Sequence, residues 1–413
     1  MMVKLIALFL PLMILNTVSV GGVFIPIMTI LLNAYFIYCV VFKYKSIPNF
    51  LYLAPIISLL LISIFKYALF FETDGIIDSA KLIATGMVVV SIYFIFKYEA
   101  KLFFRWYFIA TGLLLVYGLY QYLIVSAGLP RDTTGVNLPV FLWNENAWHL
   151  SIVRDGLIRV QSFAYEPAYL AIFLGFSLLC AISFKVKKIW VFAICLGLLA
   201  TGSRNTFVFL LVFFGLMTVK KYMNGFMFGM IYFFSFLLPI FLFVFVDLEA
   251  GDFDVSILAR ALPYKLIAEN ITSDFWSAAF GVSSYTEAIA QNNYLARFSE
   301  VISSEKVDED PKSFLAYLLL HFGVVGFIAF IFFQWLLLRK SNTSMIYMSS
   351  FNLLCFNSNV LFWPVYWGVF ALSVFIQDEK WRTFISRPLV NPKLPIMEKE
   401  KQVSTINTLS QPD

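Results

Sequence analysis

Between residues 226 and 246 the chain reads FMFGMIYFFSFLLPIFLFVFV, twenty-one consecutive positions without a charge. A helix needs about 20 apolar residues to cross the hydrocarbon core of a bilayer. This stretch is one of many. Comparable runs occupy residues 5–20, 23–42, 50–71, 82–97, 102–126, 167–184, 189–203, 205–219, 313–338, 344–358 and 360–376. Backbone polar groups in lipid must find partners inside their own segment, so such runs become helices or closed barrels. A barrel would show short alternating segments, and these runs are continuous. The expected fold is therefore all-α, a polytopic membrane protein of ten to twelve spans. The range reflects two short pairs, 189–219 and 344–376, each divided by a polar break that a re-entrant unit would also explain.

Composition agrees. The 413 residues are 61% hydrophobic, against the roughly 45–50% of soluble domains, and only 13% are charged. A soluble enzyme, a disordered chain and a coiled coil are excluded. No basic block is interleaved with stacking aromatics, so nucleic acid is not an expected partner; the bilayer is. The four cysteines sit inside apolar runs and give exposed segments no disulfide framework. With only His149 and His321, no metal-ligand spacing is present and none is expected.

Basic residues orient membrane proteins toward the cytoplasm. With twelve spans, Lys43 and Lys45; Lys97, Lys101 and Arg105; Lys185, Lys187 and Lys188; Lys220 and Lys221; and Arg339 and Lys340 all fall on one side. Adding Lys4 and the tail puts 19 of the 30 basic residues there, against 6 of the 25 acidic ones. Both termini are then expected in the cytoplasm. The run after Lys4 is read as a retained first span, because another apolar segment follows at once. The single helical membrane domain covers 1–376. The polar tail, 377–413, is expected to be disordered. Two long segments, 127–166 and 247–312, face outward. Within the second, 254–270 and 285–302 read as helices, with Ile257, Ala261 and Tyr264 spaced to lie against the mouth of the bundle.

Chemistry is therefore sought on the outer side. Arginines gather there against the charge bias: Arg154, Arg159, Arg204, Arg260 and Arg297. Arginine offers five donors in a rigid fork that suits phosphate oxygens. Arg204 stands in the break TGSRN (201–205). An arginine within a span costs about 2.5–3.5 kcal/mol on insertion scales, so it needs an anion, a water-filled cavity or a route to the interface. Glu166 precedes Pro167 in RVQSFAYEPAYLAIFLGF (159–176), next to Tyr165; Pro suits a first helical turn. A carboxylate there is a helix cap, a base toward a sugar hydroxyl, or both. His321, with Tyr317 on its face, is either an interhelical hydrogen-bonding group or a base. Lys66 is expected to snorkel. The stretch FLWNENAWHL (141–150) suits either a sugar or an interfacial belt.

RVQSFAYEPAYLAIFL, followed by LLATGSRNTFVFLLVFF (198–214) and FLAYLLLHFGVVGFIAFIFF (314–333) with Gly323 and Gly326, resembles the O-antigen and capsular repeat-unit polymerases of the Wzy type. The motifs cover residues 155–335, and the span layout covers the whole chain. The resemblance implies a multi-pass enzyme of the bacterial inner membrane. It would transfer a growing glycan from undecaprenyl diphosphate to a hydroxyl of a second lipid-linked repeat unit, with no metal or other cofactor. It would work beside a flippase and a chain-length regulator. By the same resemblance Arg159 and Arg204 hold the leaving diphosphate and Glu166 serves the acceptor. Arg260 is added from its loop position. Many relatives carry a His–Asn pair before the closing span, where this chain reads Asp310, Pro311, Lys312, Ser313. That departure makes Glu166 the preferred base over His321, and gives Lys312 to the diphosphate. An O-antigen ligase and a flippase or transporter of lipid-linked oligosaccharide are the alternatives.

Overall fold

The computed structural model describes residues 1–11, 17–20, 23–43, 50–70, 74–127, 153–154, 157–160, 162, 167–245, 255–273, 275–282, 288, 311, 313–356, 358–379 and 381. Helices dominate. In chain order they are α1 (Met2–Phe9), α2 (Ile27–Tyr38), α3 (Ala54–Phe70), α4 (Asp74–Tyr98), α5 (Ala100–Ser126), α6 (Pro167–Ser183), α7 (Lys188–Ala200), α8 (Arg204–Val219), α9 (Gly225–Val244), α10 (Val255–Ser273), α11 (Phe275–Phe280), α12 (Phe314–Leu338), α13 (Asn342–Cys355) and α14 (Pro364–Phe375). Among the described residues four helices are long and apolar enough to cross a membrane: Asp78–Tyr98 within α4, then α5, α9 and α12. Six shorter helices are also apolar. From the second onward, each expected run holds a helix that agrees with it within about four residues, except that α4 begins eight residues before 82–97.

The first run departs. No helix spans residues 5–20. α1 stops at Phe9, and β1 (Thr17–Val20) pairs antiparallel with β2 (Val23–Pro26), with Val20 opposite Val23. The sequence explains this. Gly21–Gly22 is a favoured two-residue hairpin connection, and Val18, Val20, Val23 and Ile25 are β-branched residues that fit a pleated surface better than a helix. A second short hairpin joins β3 (Val153–Arg154) to β4 (Leu157–Ile158). In the run 189–219 the polar break is real: α7 and α8 are two helices joined by a tight turn at Thr201–Ser203.

Polar groups inside the bundle bind one helix to another. The Tyr232 hydroxyl (α9) donates to Gln334 Oε1 (α12) at 3.1 Å, and Tyr366 (α14) lies 3.4 Å from both Gln334 Oε1 and Asn352 Oδ1 (α13). Tyr107, Thr111 and Ser177 form a second network between α5 and α6. All are buried. Such bonds hold helices together where apolar contact alone gives little preference between protein and lipid.

The two ends of the bundle are distinct. At one, Lys43 pairs with Glu99, Lys220 donates to Thr343, Lys4 lies over the Trp106 ring and Arg339 over Trp335. The basic clusters singled out from the sequence thus share an end. Trp381 docks there too, its indole N–H donating to the Phe96 carbonyl at 2.9 Å and its ring packing on Phe96, Phe184 and Phe375. The expected disordered tail from 377 is corrected in its first residues: Gln377 bonds the Leu337 carbonyl, and Trp381 is 8% exposed. A large indole buries more apolar area than the ordering of a few residues costs. Residues 382–413 lie outside the described residues. We expect Trp381→Ala to cost about 3 kcal/mol, read as a lower unfolding temperature of the detergent-purified protein.

At the opposite end α10 packs against α9 and α12; of the three residues expected to face the bundle, the Ile257 side chain lies outside the described residues. Ala261 and Tyr264 are fully buried. Tyr264 stacks on Phe243 at 5.5 Å, and its hydroxyl lies 2.7 Å from Ser313 Oγ. Burial pushes the Tyr264 phenol well up, against a smaller lowering by Ser313. It stays a neutral hydrogen-bonding group. The stretch 285–302 lies almost wholly outside the described residues.

Candidate functional site

The α7–α8 turn stands at this second end. α7 closes with Thr201 as its cap; Gly202 then takes φ +58°, and Ser203 is extended before α8 opens at Arg204. Thr201 is buried and its hydroxyl accepts from the Ser203 N–H at 3.3 Å, with Thr206 Oγ1 3.2 Å away. Asn205, 5% exposed, donates to the Leu354 carbonyl and ties α8 to the end of α13. The break TGSRN is therefore a built turn. It holds the first residue of α8 in place while the Arg204 side chain stays exposed. No Ser203 side-chain bond caps α8. The positive dipole end of α8 adds to the Arg204 charge, and that combination attracts anions.

Arg159 reaches the same turn from another direction. Its Nε donates to the Thr201 carbonyl at 3.3 Å, and the next residue, Val160, donates its N–H to Ala200 O at 2.8 Å. A Cβ on Gly202 would stand 3.0 Å from Arg159 Cγ, so glycine leaves room for the arginine stem. Arg159 and Arg204 thus leave the chain from touching segments.

The segment bearing Arg159 is anchored on its far side by α5. Ser162, at φ +51° and fully buried, receives a two-way clasp from Gln121: the Ser162 N–H donates to Gln121 Oε1 at 2.7 Å, and Gln121 Nε2 donates back to the Ser162 carbonyl at 3.1 Å. The Ser162 hydroxyl donates to Leu114 O at 2.8 Å. Gly118 lets Val160 approach, since a Cβ there would meet Val160 Cγ1 at 2.7 Å. Sequence reasoning missed Gln121 and Ser162. The available signal was a lone amide, Gln121, in an otherwise apolar run. Gln121→Leu would leave two buried backbone groups without partners, at about 1–3 kcal/mol each. We expect a lower unfolding temperature, with Gln121→Glu less affected because the carboxylate still accepts from Ser162.

The other named residues divide. α6 begins at Pro167 as expected, but Glu166 and Tyr165 lie outside the described residues, as do Arg297, Lys312 and His149. Arg154 lies in β3. Arg260 is half-buried on α10, which covers the α9–α12 side of this end, whereas Arg159 and Arg204 belong to the α5–α7–α8 side.

A second polar cluster surrounds His321, and its central residue, Asp78, was not singled out from the sequence. Tyr317 donates to Asp78 Oδ1 at 3.0 Å; His321 Nδ1 lies 3.2 Å from Asp78 Oδ2; Lys81 Nζ lies 3.8 Å from Oδ1. The Tyr317 and His321 rings stack at 4.1 Å. His321 is thus a hydrogen-bonding link between α12 and α4. Asp78 falls four residues before the apolar run 82–97, where a buried acid looks like a loop acid until α3 and α12 close over it. Lys66 is a correction. It does not snorkel: 5% exposed, it donates to the carbonyls of Val282 and His321 at 3.0 and 3.1 Å. Fixed carbonyls in a buried place hold an ammonium better than a long, entropically costly reach to the interface.

No family model, curated protein or solved structure matches this chain.

Proposed function

We propose that the protein is a polytopic membrane glycosyltransferase of the repeat-unit polymerase kind, working on the side of the bilayer opposite its basic clusters. Its donor is a glycan on a polyprenyl diphosphate. Its acceptor is a sugar hydroxyl of another lipid-linked repeat. The observation that carries this reading is the pair Arg159 and Arg204, set on touching segments at the N-terminus of α8. As the glycosidic bond breaks, the leaving diphosphate gains negative charge. Two permanently charged forks on a braced turn stabilise that charge without reorganising. A helical bundle leaves the polyprenyl tail in lipid while its head reaches the turn. Glu166, one residue before α6, is assigned to the acceptor hydroxyl on the strength of the sequence resemblance, and Arg260 to a further phosphate contact.

A second reading, a flippase or transporter of the same lipid-linked glycan, is favoured by one observation. α12 is discontinuous at Gly323, beside the buried Lys66 and Asp78, and interrupted helices with buried charges are typical of transporters. Glycan gels of a deletion strain separate the classes. Single repeats exported on their carrier support the polymerase. Unexported repeats identify a flippase, and long chains stranded on the lipid carrier identify a ligase.

A further inference from the structure

The clearest feature outside the arginine turn is the place where α11 meets the interruption in α12. Two helix ends converge there, and each ends on a glycine. α11 stops at Gly281, with φ +91°. The first part of α12 stops at Gly323, with φ +62° and ψ −173°, a region open in practice only to glycine. The backbones touch. A Cβ on Gly281 would lie 2.3 Å from Leu320 O, and one on Gly323 would lie 2.3 Å from Ala279 O.

A helix that stops leaves its last carbonyls without intrahelical donors and carries negative charge at that end. Both helices stop here, in a buried place where those carbonyls need other donors. Leu320 O accepts from the Val282 N–H at 2.6 Å. His321 O, in the last turn before the break in α12, and Val282 O, two residues past the end of α11, accept from Lys66 Nζ on α3. A carbonyl cradle between helix C-termini is a setting that suits a small monocation. An ammonium with three N–H donors meets the same requirement.

We propose that this junction is a monocation site built from backbone carbonyls, and that Lys66 is its resident ligand, carried on a neighbouring helix. The chain supplies its own cation and so locks the outer helix α11 to α12 without depending on ions in solution. The same ammonium fixes the backbone of His321, whose ring Asp78 holds from the other side. The inference is independent of the glycan reading.

The test uses full-length protein in detergent, with unfolding followed by tryptophan fluorescence. Lys66→Ala removes the cation and leaves a hole that a small amine can enter. Its unfolding temperature should fall by about 3–6 °C. Methylammonium or ethylammonium chloride should restore it along a saturating curve, and tetramethylammonium chloride, which has no N–H donors, should not. Lys66→Met fills the hole without charge and should fall without being restored. An unfolding temperature for Lys66→Ala equal to wild type overturns the proposal; so does equal recovery with all three salts, or none. Should Lys66→Ala fail to fold, reductive methylation of the wild-type protein decides. Lys66 should stay unmodified while Lys220 and Lys221 react; reaction at their rate overturns the assignment.

Discussion

Arg204→Ala should abolish long-chain glycan while the protein reaches the membrane in normal amount. In this position the guanidinium carries two roles. On the proposed function it adds a fixed positive charge to the N-terminus of α8 and would offer a planar pair of donors to phosphate oxygens. Removing one such donor from a preorganised site costs about 10²–10³ in rate, enough to leave only single or very short repeats on a glycan gel. Arg204→Lys should fail almost as badly, because lysine keeps the charge and loses the fork. Arg159→Ala should match it, with one difference. Its Nε also holds the Thr201 carbonyl, so this variant should lower the unfolding temperature slightly, whereas Arg204→Ala, an exposed side chain, should not. Normal chain length in both alanine variants would remove the arginines from the site. Normal chain length in Arg159→Ala alone would leave Arg204 and the α8 N-terminus as the phosphate contact.

Gly323→Ala should prevent the protein from folding to a stable, extractable form. Two independent penalties act at one atom. The backbone conformation, φ +62° and ψ −173°, excludes a side chain at a cost of order 1–3 kcal/mol. The added Cβ would also stand 2.3 Å from Ala279 O and 2.5 Å from Phe280 N. Those are backbone atoms of α11, which cannot swing aside as a flexible side chain would. Either the helices separate and the Lys66 cradle opens, or α12 straightens through the break. The measurement is the monodisperse fraction after detergent extraction. It should drop several-fold for Gly323→Ala, and also for Gly281→Ala, whose Cβ would strike Leu320 O. Wild-type behaviour of Gly323→Ala would show that the break is not needed for the folded state. Gly215, which has open space around its Cβ position, is the control; Gly215→Ala should be neutral or slightly stabilising in mid-helix.

The apolar runs were legible because each is a local property. A stretch such as 226–246 must become a helix in lipid whatever surrounds it, and its limits agree with α9 to within two residues. The same holds for Pro167 at the start of α6 and for the helix at 255–273. The arginine turn was legible in part: TGSRN announced a break, and the structure gives the break its shape through Thr201, Asn205 and Gly202. The first run was misread because hydrophobicity alone does not distinguish a helix from a β-branched hairpin. Gly21–Gly22 was the discriminating signal.

Length and hydrophobicity along the chain determined, by themselves, where the long apolar helices after the first run lie, which loops are basic and where an arginine interrupts an apolar run. Only the tertiary structure decided that Gln121 clasps Ser162, that Asp78 meets His321 across 243 positions and that Lys66 closes the junction of two helix ends. The reason is physical. Helix formation follows from bonds between residues four apart, which the sequence displays directly. The partner of a buried charge is instead chosen by which helices pack together, and that choice rests on the shape of whole apolar surfaces.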